Sequence, residues 1–265
     1  MSGNDRRRLV FGEAPELYHR YRPTYPEALI DDLVALAGLD GSRPVLEVGA
    51  GTGKATALFA ARGIPVLAVE PSAGMSAVLR STVAAGGVAG VENAEFEGWD
   101  PAGRRFPLVY SAQAWHWVRP EVGYAKATSV LEPGGWLAVF WNRVDWASCE
   151  LRDQLLVAYE AAAPEMGRDG GLHPSCSLGG PEEDWASELA HAAGLGDAEV
   201  RTYEWSSDYT ARDYLGFLGT ASRVQLMEPG QREALFAAVA AAIEAAGGRL
   251  TLPLSTLLCL ARRLR

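Results

Sequence analysis

A strand, a glycine-rich loop, a helix and a second strand follow one another between Val45 and Glu70 in this chain of 265 residues. The segment reads VLEVGAGTGKATALFAARGIPVLAVE. Its mainly apolar segments 44–48 and 65–69 predict two buried strands, and glycines at 49, 51 and 53 allow a sharp turn from the first strand into the helix. A ligand can then lie against bare backbone at the helix N-terminus. Glu70 ends the second strand at the offset where a carboxylate accepts the two ribose hydroxyls of a nucleoside.

The alternation of strands and helices continues on both sides of this segment. Apolar residues at helical spacing predict helices over 25–37, 55–61, 73–85, 121–131, 148–162, 182–193, 211–218 and 231–246. Short apolar runs predict strands over 44–48, 65–69, 94–96, 108–111, 136–141, 198–205 and 249–260, with a turn at 133–135. This order is typical of a doubly wound α/β fold, in which helices cover both faces of a mostly parallel sheet.

The regular alternation stops after residue 141. A Gly/Pro-rich stretch at 164–181 separates two predicted helices, and a long irregular segment in a compact domain is often a functional lid. We expect one domain over 1–265. Its parts are N-terminal cover helices in 1–40, a cofactor-binding core in 41–141, a helical insertion or lid in 142–197, and the last part of the sheet with substrate-pocket helices in 198–265.

Two common types of glycine loop do not fit this segment. A phosphate-binding P-loop requires glycine at 48 and serine or threonine at 55, where the chain has Val48 and Ala55. The dinucleotide fingerprint GxGxxG requires a third glycine at 54, where the chain has Lys54. The spacing therefore excludes both types.

The remaining pattern, ExGxGxG, resembles motif I of class I S-adenosylmethionine-dependent methyltransferases, with Glu47, Gly49, Gly51 and Gly53 at the motif positions. Three other segments resemble the trans-aconitate methyltransferase-like group of the methyltransferase type 11 superfamily. They are YHRYRPTYP, LVYSAQAWHWVRP and the terminal GGRLTLPLSTLLCLARR, so the resemblance covers nearly the whole chain. It implies a Rossmann-like, seven-stranded sheet with a C-terminal antiparallel strand. It also implies S-adenosyl-L-methionine as cofactor and S-adenosyl-L-homocysteine as product.

The resemblance further implies a set of cofactor-binding residues. Arg22 would pair with the methionine carboxylate of the cofactor, or would instead tie the N-terminal helix to the body of the protein. Glu95 and Phe96 match positions that face the adenine, but Glu97 could make that contact, or the acidic loop could simply be solvated. The expected set is Tyr18, Arg22, Glu47, Gly49, Ala50, Gly51, Gly53, Glu70, Pro71, Met75, Glu95, Phe96 and Gln113.

Residues 113–117 follow the fourth strand of the core, at the sheet edge where open α/β folds bind ligands. His116 is a candidate general base because imidazole titrates near neutral pH, although it could also pack beside the cofactor without taking a proton. Aromatic faces hold a sulfonium or a flat substrate, which makes Trp115, Trp117 and Trp141 candidate substrate contacts. Buried tryptophans are also common as core residues.

Charge and composition narrow the classes of partner. A formal net charge of −9 and a pI near 5.0 disfavour a nucleic-acid substrate. The short basic runs 6–8 and 262–263 are assigned no function. Neither the three cysteines nor the four histidines have metal-site spacing, so no metal is expected. Without an apolar run of about 18 residues, the chain is expected to be cytoplasmic and free of membrane contact.

These observations predict an S-adenosylmethionine-dependent methyltransferase that transfers a methyl group to a small-molecule acceptor by in-line displacement. Because a sulfonium leaves as a neutral group, positioning of the reactants is expected to dominate. The segment 142–181 and the helix 211–218 are expected to shape the acceptor pocket. The alternatives are a protein that binds the cofactor without methyl transfer and an NAD-dependent oxidoreductase. The acceptor atom stays open among oxygen, nitrogen and carbon, and the protein could be a monomer or a homodimer.

Overall fold

The computed structural model describes residues 14–83, 87–169 and 185–264. Within them the helices are α1 Pro15–Tyr21, α2 Glu27–Ala37, α3 Lys54–Ala60, α4 Ala73–Thr82, α5 Pro120–Val130, α6 Arg152–Ala162, α7 Pro164–Asp169, α8 Trp185–His191, α9 Ala211–Gly219, α10 Ser222–Gln225 and α11 Pro229–Ala245. The strands are β1 Val45–Val48, β2 Val66–Val69, β3 Val88–Glu92, β4 Phe106–Ala112, β5 Leu131–Val144, β6 Leu195–Thr210 and β7 Arg249–Arg263. None of these helices is both long and apolar enough to cross a membrane.

The seven strands form one sheet in the order β3-β2-β1-β4-β5-β7-β6. β1 pairs in parallel with β2 and β4, β2 with β3, and β4 with β5. The sheet is mostly parallel and has a C-terminal antiparallel strand, which confirms the predicted fold. The strand order reverses between β1 and β4. At such a switch point the connections leave in opposite directions and open a crevice at the carboxyl ends of the strands.

The chain divides into two compact units. The core unit comprises the described parts of 24–142, 185–203 and 256–264, and the second unit comprises those of 14–23, 143–169 and 204–255. The strands β5, β6 and β7 contribute residues to both units.

The core unit is apolar on both faces of its sheet. All four residues of β1 are buried, and successive side chains point to opposite faces. Leu46 packs in a cluster with Phe106 and Leu137, whereas Val45 packs in a second cluster with Phe59. Burial on both sides explains why Val45, Leu46 and Val48 are all apolar instead of alternating with polar residues, and Glu47 is the one charged residue of the strand.

The second unit has its own hydrophobic core. Leu155 of α6, Tyr214 of α9, Val239 of α11 and Leu252 of β7 are among its buried residues. Apolar residues three and four positions apart on α6 and α11 supply the helical faces that meet in this core.

The predicted strand over 94–96 is wrong. The third strand is β3, and residues 94–96 lie in the loop after it. β3 is an edge strand whose residues are only partly buried, and it contains Gly90. It therefore lacks the continuous apolar run that marks the inner strands.

The predicted turn at 133–135 lies inside β5. The β4 and β5 register shifts there, with Phe106 opposite Leu131 and Leu108 opposite Trp136, so β5 holds extra residues around Gly134. The predicted Gly/Pro-rich stretch begins as α7, and its residues 170–181 lie outside the described residues. The predicted helix 182–193 also starts outside them, and α8 begins at Trp185. The predicted single domain and lid stay predictions.

Candidate functional site

The loop after β1 carries three glycines with backbone angles that side chains disfavour. Gly49, Gly51 and Gly53 have φ of +71°, +56° and +84°. A Cβ on Gly49 would lie 2.5 Å from the Cβ of Ala114, and one on Gly53 would lie 2.8 Å from Cγ of Leu79. A Cβ on Gly51 would meet no atom of the described residues within 4 Å. Packing thus accounts for the first and third glycines, whereas Gly51 presents bare backbone to open space.

The carboxylate of Glu70 lies beside this loop at the carboxyl end of β2. The Gly51 amide donates to its Oε2 at 2.9 Å, and the Ser72 amide donates to its Oε1 at 2.8 Å. The side chain is largely buried. Because a carboxylate oxygen accepts more than one hydrogen bond, two backbone donors fix the orientation of this group and leave it able to accept others.

Glu47 braces the same loop from within the protein. It is the third residue of β1 and is 1% exposed. Thr56 Oγ1 and Tyr110 Oη both donate to its Oε2, at 2.5 and 2.8 Å. Burial raises the pKa of Glu47 to about 7, and the nearby Glu70 charge acts in the same direction. Glu47 therefore joins β1 to α3 and β4.

Side chains after β2 and β3 complete the surroundings of Glu70. Ser72 caps α4 by accepting a hydrogen bond from the amide of Met75, which is buried. Asn93 donates to the Glu70 carbonyl at 3.1 Å and to Ser76 Oγ at 2.6 Å. Sequence reasoning missed Ser72 and Asn93. A serine before an apolar helix is an N-cap signal that indicates Ser72, but the misplaced third strand concealed Asn93.

The two candidate adenine contacts in the acidic loop after β3 differ in exposure. Glu95 is exposed, whereas Phe96 is buried between the rings of Trp99 and Trp115, each at 6.1 Å between centroids. The alternative candidate, Glu97, accepts a hydrogen bond from the Arg119 amide at 2.9 Å and pairs with its guanidinium. Glu97 is thus engaged in fixing the start of α5.

Gln113 follows β4 in an unusual conformation. Its φ is +58°, and within the described residues only Ala102 is another non-glycine residue with positive φ. The Gln113 amide donates to the Phe140 carbonyl at 2.9 Å, and its Nε2 donates to the Asn142 carbonyl at 3.3 Å. Asn142 in turn accepts from Thr256 Oγ1 at 2.7 Å. These bonds hold Gln113 in place against a strain of about 1–2 kcal/mol.

His116 lies in the short 3₁₀ helix Trp115–Trp117 after Gln113. The indole Nε1 of Trp141 donates to its Nδ1 at 3.3 Å. Burial lowers the pKa of His116 to about 4, although part of the side chain is exposed. The hydrogen bond supports the same direction, because a ring nitrogen that accepts a proton donor must itself be unprotonated. The imidazole is therefore neutral at pH 7.

Residues 45–135, which span this loop and both strands beside it, match the family model of a methyltransferase domain. Over this segment the chain is similar to methyltransferases. The narrower resemblance to the trans-aconitate methyltransferase group stays a prediction.

Proteins similar to this chain occur in bacteria and fungi. An uncharacterised methyltransferase of Mycobacterium bovis is 39% identical over 166 residues, which are 61% of this chain and 60% of the relative. An uncharacterised methyltransferase-like protein of Schizosaccharomyces pombe is 32% identical over 158 residues, covering 56% of this chain and 58% of the relative. The chain thus spans about 60% of the length of the curated relatives it matches.

Solved structures share the fold of this chain. A structure assigned as a type II methyltransferase from Anaeromyxobacter dehalogenans superposes with a TM-score of 0.61 and 23% identity, covering 92% of this chain and 98% of that one. Phosphoethanolamine N-methyltransferase 2 of Haemonchus contortus, in complex with phosphomonomethylethanolamine and S-adenosylhomocysteine, has a TM-score of 0.53 at 15% identity. It covers 98% of this chain and 58% of its own.

The three tryptophans predicted to contact substrate differ in burial. Trp115 and Trp141 are 2% and 4% exposed, and Trp141 stacks on Trp185 with ring centroids 3.3 Å apart. Trp117 is half-buried and lies 4.6 Å from the His116 ring. Burial favours a core role for the first two, and Trp117 keeps exposed surface.

Tyr18 and Arg22 belong to the second unit of the chain. Arg22 donates from Nε to Thr220 Oγ1 at 2.7 Å and from Nη2 to the Thr220 carbonyl at 3.2 Å. Its guanidinium also lies over the rings of Tyr18 and Phe217, about 5 Å from each centroid. These contacts match the alternative in which Arg22 ties the N-terminal helix down. Contact of either residue with a cofactor stays a prediction.

Lys54 is a further group of this site that sequence reasoning used only to exclude other loops. It begins α3 directly after Gly53, and burial lowers the pKa of its amine to about 8. Among the described residues, no group of three or more metal-ligating side chains is placed to hold a metal ion.

Proposed function

We propose that this protein binds S-adenosyl-L-methionine at the loop after β1 and transfers its methyl group to a small-molecule acceptor. One observation carries the proposal: bare backbone at Gly51 faces open space beside the fixed carboxylate of Glu70. A nucleoside needs these two features, a surface without a side chain and a carboxylate for its ribose hydroxyls.

The residues around the loop fit that cofactor. A Cβ at position 51 would occupy the space in front of the loop, so glycine there keeps room for a ligand. Glu70 is held by two backbone amides, so its carboxylate is oriented before any ligand arrives. Such preorganisation reduces the free energy that binding must spend on ordering the site.

When bound, S-adenosyl-L-methionine supplies a methyl group on a sulfonium, and the sulfur departs uncharged. The chain's residues therefore have to orient and enclose the reactants more than to exchange protons with them. Gln113 and His116 follow β4 at the carboxyl edge of the parallel strands, the edge at which Glu70 also lies. We assign the positioning of the acceptor to this segment.

Charge and a structural relative support a small acceptor. The net charge of −9 opposes binding to a phosphate backbone. The Haemonchus contortus enzyme that shares the fold is described with phosphomonomethylethanolamine, a small molecule. The acceptor of this protein carries an oxygen, nitrogen or carbon nucleophile.

Calorimetric titration tests cofactor binding. We expect heat of binding with S-adenosyl-L-methionine and S-adenosyl-L-homocysteine and none with NAD, since Lys54 stands where the dinucleotide loop needs glycine. No heat with either sulfur compound would overturn the proposal.

A second experiment tests transfer and the acceptor class. The protein is incubated with a cell extract and a methyl donor labelled on its methyl group, and the extract is fractionated. Label in the small-molecule fraction is expected. Label in RNA or protein would contradict the proposed acceptor class, and binding without any transfer would identify a protein that uses the cofactor in another way.

A further inference from the structure

The hydrogen bond between Trp141 and His116 determines which ring nitrogen of the histidine carries the proton. An indole N–H can only donate, so Nδ1 of His116 must accept the bond of 3.3 Å. A neutral imidazole has one protonated and one unprotonated nitrogen. The proton of neutral His116 therefore resides on Nε2.

The donor of this bond is held rigidly. Trp141 is buried in β5, and its ring stacks on that of Trp185 with an interplanar angle of 8°. Trp185 is itself buried and begins α8, where Leu189 is also buried. Because both rings are packed, the indole N–H keeps one direction, and the tautomer of His116 is set before any ligand binds.

We propose that His116 acts as a hydrogen-bond donor to the methyl acceptor through Nε2–H, and does not act as a general base. The assignment of its partner as the acceptor rests on the proposed function. A nitrogen that already carries a proton cannot remove one, and the other nitrogen is engaged by Trp141. The lowered pKa of His116 agrees with a ring that stays neutral.

This role restricts the acceptor. The molecule must present a lone pair to Nε2–H, and its nucleophilic atom must not depend on His116 to lose a proton. The side chain keeps exposed surface at the carboxyl edge of the sheet, so a ligand can reach it. His116 then positions the acceptor, while the nucleophile is reactive without its help.

The chain contains an internal reference with the opposite tautomer. Nδ1 of His191 lies 2.6 Å from the carbonyl oxygen of Ser187. A carbonyl can only accept, so neutral His191 carries its proton on Nδ1. Both histidines belong to the core unit and can be measured in one sample.

Long-range proton–nitrogen correlation spectra of the full chain at pH 7.5, without cofactor or acceptor, test the tautomer. His116→Gln identifies the His116 signals by their loss. We expect protonated Nε2 at His116 and protonated Nδ1 at His191. A protonated Nδ1 at His116 would overturn the proposal. Since the measurement needs no methyl transfer, it is independent of the proposed function.

Substitutions at Trp141 and His116 test what sets the tautomer and what the histidine does in methyl transfer. Trp141→Phe keeps an aromatic ring on Trp185 but removes the donor, so His116 should become a mixture of tautomers; an unchanged spectrum would contradict the role of Trp141. In the labelled-methyl assay, His116→Gln retains a neutral donor and should stay within about tenfold of the wild type, whereas His116→Ala should fall further. A general base would cost about 10²–10⁴-fold in both variants, and that result would also overturn the proposal.

Discussion

The backbone amide of Gly51 donates a hydrogen bond of 2.9 Å to Oε2 of Glu70. This contact joins the loop after β1 to the end of β2, two parallel neighbours in the sheet. A Cβ at Gly51 would meet no described atom within 4 Å, and this glycine is hydrogen-bonded directly to a carboxylate of fixed orientation. In the proposed site, the first faces the nucleoside and the second holds its ribose.

Glu70→Gln should weaken the binding of S-adenosyl-L-homocysteine by about 10- to 100-fold, because a charged hydrogen-bond acceptor contributes about 1.5–3 kcal/mol. Calorimetry measures this directly. Glu132→Gln is the matched control, since Glu132 lies at the start of β5 and pairs with Arg43 on the surface. Equal loss of affinity in the two variants would show that net charge, and not the Glu70 contact, governs binding.

Gly51→Ala should mainly weaken cofactor binding, whereas Gly49→Ala should mainly lower stability. Alanine at 51 meets no described atom, so it should cost only the roughly 1–2 kcal/mol of a left-handed backbone while blocking the cofactor. Alanine at 49 adds a contact of 2.5 Å with the Ala114 side chain and should lower the thermal midpoint much more. Thermal unfolding with and without S-adenosyl-L-homocysteine separates the two. Stabilisation of Gly51→Ala by this ligand to the wild-type extent would contradict the prediction.

The central fold could be predicted from the sequence because its signals are local. Buried parallel strands are mainly apolar, and the turn into α3 requires glycines, so the predicted boundaries within 44–70 differ from those of the structure by at most one residue. β3 was misplaced because an edge strand is only partly buried and its sequence, VAGVE, lacks a continuous apolar run.

Site residues could be predicted only where their position in the sequence indicates their role. Glu70 follows a strand at a fixed offset from the loop, so spacing indicates it. The contacts of Asn93 with Glu70 and Ser76, and of Trp141 with His116, join residues distant in sequence. No local pattern contains such contacts. The tautomer of His116 therefore became visible only in the structure.

Gln113→Gly should leave the protein as stable as the wild type or up to about 1 kcal/mol more stable, since glycine adopts a φ of +58° without strain. It should nevertheless reduce methyl transfer, because the Nε2 bond to the Asn142 carbonyl is lost. Ala102→Gly is the control, because Ala102 has a φ of +50° in an exposed turn and should change stability similarly without affecting transfer. Urea unfolding and the labelled-methyl assay measure the two effects. A clear loss of stability in Gln113→Gly would mean that its side-chain bond outweighs the backbone strain.

Glu47 should make the protein less stable as pH rises from 5.5 to 7.5. Its pKa is raised from 4.5 to about 7 in the folded state, so the unfolded chain is already ionised at pH 5.5, whereas the folded protein keeps the proton until the pH passes about 7. The free energy of unfolding therefore falls by about 2 kcal/mol over this range, at 1.36 kcal/mol per pKa unit. Glu47→Gln is always neutral and should lack this component, and its amide oxygen can replace Oε2 as the acceptor for both Thr56 and Tyr110. Urea unfolding of both proteins at pH 5.5 and 7.5 measures the difference. Since other groups titrate equally in both proteins, the free energy of unfolding of the variant should rise relative to that of the wild type as pH rises. If the difference between the two free energies does not change with pH, the Glu47 carboxyl is ionised in the folded protein over the whole range.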